Sequence, residues 1–367
     1  MGILLEGGAP SPPAGRGLVQ TVRHTASVRP ATSPPRRRRR GALQGLFLLL
    51  SACGGLAPPP QPAPTSPAVI ATIPVGAPPT LLAVAPDGKH VYAASNGSLT
   101  VIDTAGNTAV ATHSLPPNST GIAVAPDGSR VYVAALFSIN LGVLDTATNT
   151  MAPPIELFLQ RLRGGFAWMA LSRDGGTAYI TNKTNDALAI VSLPSGQGTT
   201  LMPRVRASDV ALSPDGRTLY LAGCKPICTP GYVQFLDTAT QRFTTEIAVG
   251  ALPYRIAVAP DGTRAYTVNL SGPSVSVINL RSNAVTATIA VPVQPTGLAV
   301  SPDGRTVWVA SQTGGALTVI DAASTGIRTS VPIALARDVA VAPDGRRVYV
   351  SSERAVVVLD AAALGPG

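Results

Sequence analysis

Four side chains stand out for the chemistry they offer: Trp168, Asp209, Arg255 and Asp338. A tryptophan supplies a stacking surface, an arginine a planar fork of donors, and two aspartates fixed acceptors. Each lies six residues before the Asp of a recurring Pro-Asp-Gly turn, where the other repeats carry Leu81, Gly121 and Gly297. Tyr254 and Arg337 stand one position earlier. These six residues suit a polar ligand with a flat or cyclic part, or a loop of a partner protein. Catalytic material is sparse. From residue 53 onward the histidines are His90 and His113, and the glutamates are Glu156, Glu246 and Glu353, all scattered. No Ser-His-Asp pairing, Walker loop or metal-ligand spacing is recognisable, so no catalytic residue, metal or cofactor is assigned.

The elements that must position these residues come from a repeat. Its turn aspartates are Asp87, Asp127, Asp174, Asp215, Asp261, Asp303 and Asp344, spaced 40, 47, 41, 46, 42 and 41 residues apart. A period near forty signals one small β-unit used repeatedly. Each unit reads as four strands, a to d. In the second, Gly121–Ala125 precedes the turn, Val131–Ala134 and Leu141–Leu144 follow, and Asp145-Thr-Ala-Thr-Asn149 turns into a fourth strand. The seven aspartates are read as turn residues that bond their own backbone, not as metal ligands.

Two columns point to a propeller. Alanine stands four residues before every Asp (Ala83, Ala123, Ala170, Ala211, Ala257, Ala299, Ala340), as a crowded central strand requires. A large ring stands five residues after it: Tyr92, Tyr132, Tyr179, Tyr220, Tyr266, Trp308 and Tyr349. Rings of this size fill the wider gap between blades away from the axis. Val69–Val75 reads as a strand d with no blade before it, while the last repeat stops after strand c. The expected fold is all-β: a seven-bladed propeller of four-stranded blades over residues 68–367, its ring closed by the N-terminal strand. The d–a and b–c loops then share one face. The six candidate residues are expected on the d–a loops at the channel mouth, with the segment Met151–Phe166 and the loop holding Cys224 and Cys228 on the same side. The apolar loop Leu136-Phe-Ser-Ile139 is a second candidate surface.

Tyr179-Ile-Thr-Asn182, Val101-Ile-Asp-Thr104 and Leu144-Asp-Thr-Ala-Thr-Asn149 resemble the YVTN family of β-propeller repeats. The third repeat departs from the pattern, with Arg173 in place of Pro and Ser192 ending strand c. The resemblance implies the propeller fold and, commonly, an extracytoplasmic location, but no single activity.

Residues 1–52 read as a leader. Arg36–Arg40 form a basic run, Gly41–Leu50 an apolar run of signal-peptide length, and Leu50-Ser-Ala-Cys53 resembles a bacterial lipobox. That resemblance implies diacylglycerol on Cys53, and Gly54 rather than Asp after it leans towards the outer membrane. The Pro/Ser/Gly-rich residues before the arginines leave open a true start nearer Val28, and the arginine run fits a twin-arginine signal poorly. Residues 53–67 are the lipidated cysteine and a Pro-rich tether, which at ~3.1 Å per residue spans ~40 Å. The chain has 28 basic and 19 acidic residues, net +9. Residues 1–52 hold eight Arg and one Glu, leaving 20 basic and 18 acidic residues, net +2, in the rest. The basicity belongs to the leader, so nucleic acid is not an expected partner.

With Cys53 lipidated, Cys224 and Cys228 remain as an even pair in an oxidising compartment, and a disulfide is the simplest reading. A redox-active C-x-x-x-C loop is the alternative. The expected protein is a lipid-anchored module of the cell envelope, periplasmic or outer-membrane associated, that binds an unknown protein or small polar ligand at its channel mouth. The alternative is a propeller enzyme of the lactonase or dehydrogenase-associated type.

Overall fold

The computed structural model describes residues 68–159 and 165–365. The leader, Cys53 and the tether lie outside the described residues. Among the described residues, 28 strands form seven antiparallel sheets of four. The inner strands are Pro79–Val84, Ser119–Val124, Phe166–Leu171, Arg206–Leu212, Ala251–Val258, Pro295–Val300 and Val339–Val341, in blades 1 to 7. Each touches the inner strands of both neighbouring blades, and Val339–Val341 touches both Pro295–Val300 and Pro79–Val84. The seven blades therefore form a ring.

Turn chemistry explains why each repeat folds into the same blade. All seven repeat aspartates accept the backbone N–H two residues on, at 2.9–3.0 Å. The following Gly takes the left-handed conformation, as at Gly128 with φ 75°. In blade 2, Asp145 accepts from the N–H groups of Ala147 and Thr148, and Asn149 closes the turn at φ 52°. The Thr146 hydroxyl donates to the Gly128 carbonyl, tying this turn to the a–b turn of the same blade. Thr104 and Thr238 repeat that bond in blades 1 and 4.

Seven apolar clusters occupy the seven seams between blades. The column of Tyr and Trp rings is buried throughout, and the alanine column is half-buried beside the axis. Burying a large apolar side chain contributes about 1.5–3 kcal/mol, so the seams dominate the stability of the ring. The seam between blades 7 and 1 packs Tyr349, Val356 and Val358 against Ile73, Leu82, Val91 and Ile102. Val69–Pro74 pairs antiparallel with Ala355–Asp360, and so supplies the fourth strand of blade 7. The chain joins this sheet at Ala68, whose carbonyl accepts from Asp360 N–H on the side of the a–b turns.

The inner strands carry one recurrent irregularity. In blades 1, 2, 4, 5 and 6 the pairing with the next strand slips by one residue between the eighth and sixth positions before the Asp, as between Pro79 and Leu81 or Pro253 and Arg255. Blade 3 has the same irregularity between Phe166 and Met169. A bulge bends the strand and re-aims the side chain beside it. This corrects one expectation. Trp168, Asp209, Tyr254 and Arg255 lie within inner strands rather than in the loops before them, while Arg337 and Asp338 immediately precede the short strand of blade 7.

Candidate functional site

The bulge turns the sixth position towards the axis, where neighbouring blades converge. Room there differs from blade to blade. A Cβ on Gly121 would lie 2.2 Å from the Ala167 carbonyl oxygen, and one on Gly297 2.8 Å from Asp338 Cα. These blades tolerate only glycine, because the backbone of the next blade fills the space. In blade 1 the position carries Leu81, buried in the seam with blade 2, and in blades 3, 4, 5 and 7 it carries side chains that reach other blades.

Two aspartates perform the same task. Asp209 Oδ2 accepts the N–H of Ile256, and Asp338 Oδ2 accepts that of Leu82, both at 2.9 Å. Each joins its own blade to the next, blade 4 to 5 and blade 7 to 1. Hydroxyls one position earlier add similar ties. Thr120 donates to Phe166 O, Ser208 to Pro253 O, and Thr296 to Arg337 O.

Arg255 completes the cluster. Its Nη2 lies 2.5 Å from Asp338 Oδ1, and its guanidinium sits 3.8 Å from the centre of the Trp168 ring. Trp168 meets Tyr254 edge to face, with centroids 6.2 Å apart. Trp168 and Tyr254 both pack onto the apolar cluster of blades 1 and 2. The ammonium of Lys183, on the b–c loop of blade 3, lies 5.5 Å from the Tyr254 ring centre. Five of the six expected residues thus come together, from blades 3, 4, 5 and 7.

Their environment differs from the open mouth expected of ligand-binding side chains. Trp168 is 9 %, Asp209 5 % and Asp338 1 % exposed, and the Arg255 side chain 14 %. Burial raises the carboxyl groups of Asp209 and Asp338 above the ordinary carboxylate range, with Arg255 opposing the shift in both. Burial works to lower Arg255, but Asp338 and Asp209 outweigh it and hold the guanidinium charged. Burial likewise raises the Tyr254 phenol. Lys183 is accessible to solvent as a residue, yet desolvation lowers its ammonium and Asp209 opposes that. The cluster is a satisfied plug across the channel. Its accessible parts are Tyr254, the edge of Arg255 and Lys183.

Arg337 stands apart from the plug. It lines a cleft of about 570 Å³ at the seam of blades 7 and 1, with Pro74, Pro78, Leu335, Ser352, Glu353, Arg354 and Ala355. Cys224 and Cys228 form a disulfide on the b–c loop of blade 4. Beside it, Lys225 pairs with Glu246 at 2.5 Å and lies over the Tyr232 ring. His90 and His113 stand at opposite ends of their sheet, paired with Asp103 and Leu99 respectively. The segment Met151–Phe166 is only partly a mouth loop. Most of its first half is outer strand, and Phe158 bridges to Gln197 in the c–d turn of blade 3.

Sequence reasoning missed an apolar arc. Of the ten large apolar side chains exposed among the described residues, five belong to the b–c and d–a connections of the mouth face: Phe137, Ile139, Met202, Ile227 and Val293. Leu252, the second residue of the inner strand of blade 5, adjoins them, while Phe158 on the connection between blades 2 and 3 is bridged to Gln197. The arc runs from blade 2 to blade 6, and Ile227, at the tip of the disulfide loop, is 78 % exposed. Only Phe137 and Ile139 fall in a run that reads as apolar in the sequence.

No protein-family model and no curated protein matches this chain. Among solved structures, hydrazine synthase from Kuenenia stuttgartiensis is similar, with a TM-score of 0.71 and 18 % identity over 79 % of this chain and 97 % of that one. At that identity the similarity shows the propeller fold alone.

Proposed function

We propose that the protein is a lipid-anchored, extracytoplasmic propeller of YVTN type that binds a partner protein through its mouth face. One observation carries this reading: the arc of Phe137, Ile139, Met202, Ile227, Leu252 and Val293 on one face of the ring. Exposed apolar side chains gathered on one face of the ring suit an interaction site better than the same side chains spread over both faces. On the opposite face the turn aspartates are already bonded to their own backbone. Tyr254, Arg255 and Lys183 supply polar contacts at the centre of the arc. Trp168, Asp209 and Asp338 act from beneath by fixing Arg255 and Tyr254, and Arg337 borders the same face. The lipobox at Cys53 and the YVTN-like repeats support the envelope location.

The test is photocrosslinking in the native host. A crosslinking residue at Phe137 or Ile227 is expected to give a defined adduct, and one at Val110, exposed on an outer strand, is not. The Val293 adduct is expected to vanish in F137D/I227D. Adducts that are absent, or equal at all positions, would place the functional surface elsewhere.

A further inference from the structure

The seam of blades 7 and 1 carries a second, separately built site. Its cleft of about 570 Å³ falls within the size range of small-molecule pockets, roughly 300–1,000 Å³. Two arginines, one glutamate and one serine line it, between walls of Pro74, Pro78, Leu335 and Ala355. Neither Arg337, Arg354 nor Glu353 belongs to any of the ion pairs among the described residues. Nε of Arg337 is buried and meets no acceptor of the protein. A buried donor without an acceptor is costly, and a charged one more so. Arg337 also breaks a column. Four other blades place Thr80, Thr120, Ser208 or Thr296 there, and three of those hydroxyls tie adjacent blades together. The Arg337 side chain serves no such tie.

Charge and shape together select a ligand class. An arginine pair suits a planar oxyanion held by parallel N–H bonds. Glu353 beside them disfavours a multiply charged anion such as a phosphate ester, and is itself an acceptor for an ammonium group. The proline, leucine and alanine walls suit an apolar side chain. We infer that this cleft binds an amino-carboxylate, an α-amino acid or short peptide, with its carboxylate on Arg337 and Arg354 and its ammonium on Glu353. The cleft lies outside the apolar arc, so the inference does not depend on the partner proposed above.

The test is calorimetric titration of the purified soluble protein, residues 54–367, with the twenty L-amino acids, a set of apolar dipeptides and inorganic phosphate. At least one amino acid or dipeptide is expected to bind saturably, and R354A to weaken it about ten-fold or more. Arg354 is exposed, so R354A probes the contact even where R337A disturbs the inner strand. E353Q is expected to weaken binding of the free amino acid but not of its N-acetyl derivative. Three outcomes would overturn the inference: no binding by any amino acid or dipeptide, wild-type affinity in both R337A and R354A, or phosphate binding as tightly as the best amino acid.

Discussion

Arg255 and Asp338 meet across the channel at 2.5 Å, although they are 83 residues apart and separated by a whole blade. Blade 6 has no part in the contact, so the pair is a strut between blades 5 and 7. The second oxygen of Asp338 holds Leu82 of blade 1, which brings three blades to one carboxylate.

Removing that carboxylate should be severe. D338A leaves Arg255 buried without its partner and the Leu82 N–H without an acceptor. A loss of about 3–5 kcal/mol is expected. D209A breaks the bond to Ile256 and removes the weaker of the two carboxylates that keep Arg255 charged, and should cost less, about 1–3 kcal/mol. Denaturant unfolding checks both, and two wild-type midpoints would contradict the strut. The plug residues are therefore structural as well as recognition candidates, unlike side chains that could be trimmed without consequence for the fold.

Deleting residues 68–76 should lower the melting temperature sharply and promote aggregation. The deletion bares the edge of Ala355–Asp360 and removes Ile73 and Val75 from the seam of blades 7 and 1. An unchanged melting curve would show that the strand is dispensable.

Acid should destabilise the ring. Asp127, Asp145, Asp174, Asp215, Asp237, Asp261, Asp303 and Asp321 are all held below the ordinary carboxylate value by N–H and hydroxyl donors of their own turns. A depressed carboxyl contributes stability above its unfolded value, near pH ~4, that is lost as pH falls through the folded value. Asp209 and Asp338 are raised and act oppositely: their contribution is complete below the unfolded value and lost as pH rises. Eight against two favours a melting temperature that falls between pH 5 and 2.5. A flat or rising profile would contradict it.

Lipidation rests on the lipobox. In the native host, C53S should be unlipidated and leave the membrane fraction. Wild-type protein without lipid on Cys53, by mass spectrometry, would remove the anchor from the proposal.

The Cys224–Cys228 bridge closes a very short loop. Its reduction should cost less than the ~3 kcal/mol associated with a 15-residue loop. A larger drop in melting temperature on C224S/C228S would mean that the loop organises more of blade 4 than its length suggests.

Most of the fold was legible in the sequence because it is locally encoded. Asp127 bonds a backbone group two residues away, and Asn149 completes a five-residue turn. Repeated seven times, such short-range rules expose their own period, and the Ala and Tyr columns then mark inner and outer positions. The site was legible only as a list of residues. The partners of Asp209 and Asp338 lie 47 and 256 positions away, and no local pattern announces them. The bulge was hidden as well, because alternation of residue types does not reveal one unpaired residue. That residue decides whether Trp168 and Arg255 point at solvent or at each other. Ile227 and Met202 were missed for another reason: a single apolar residue in a loop carries no signal until the ring sets it beside others.

Ala68 is fixed beside Asp360, on the side of the a–b turns. The first described strand therefore starts at the end of the ring opposite the b–c and d–a connections and runs towards them. Under the proposal of an anchor at Cys53, an attachment at that end would leave the mouth face free for a partner. The side on which the two meet would then follow from which end of a single strand the chain uses to join the last blade.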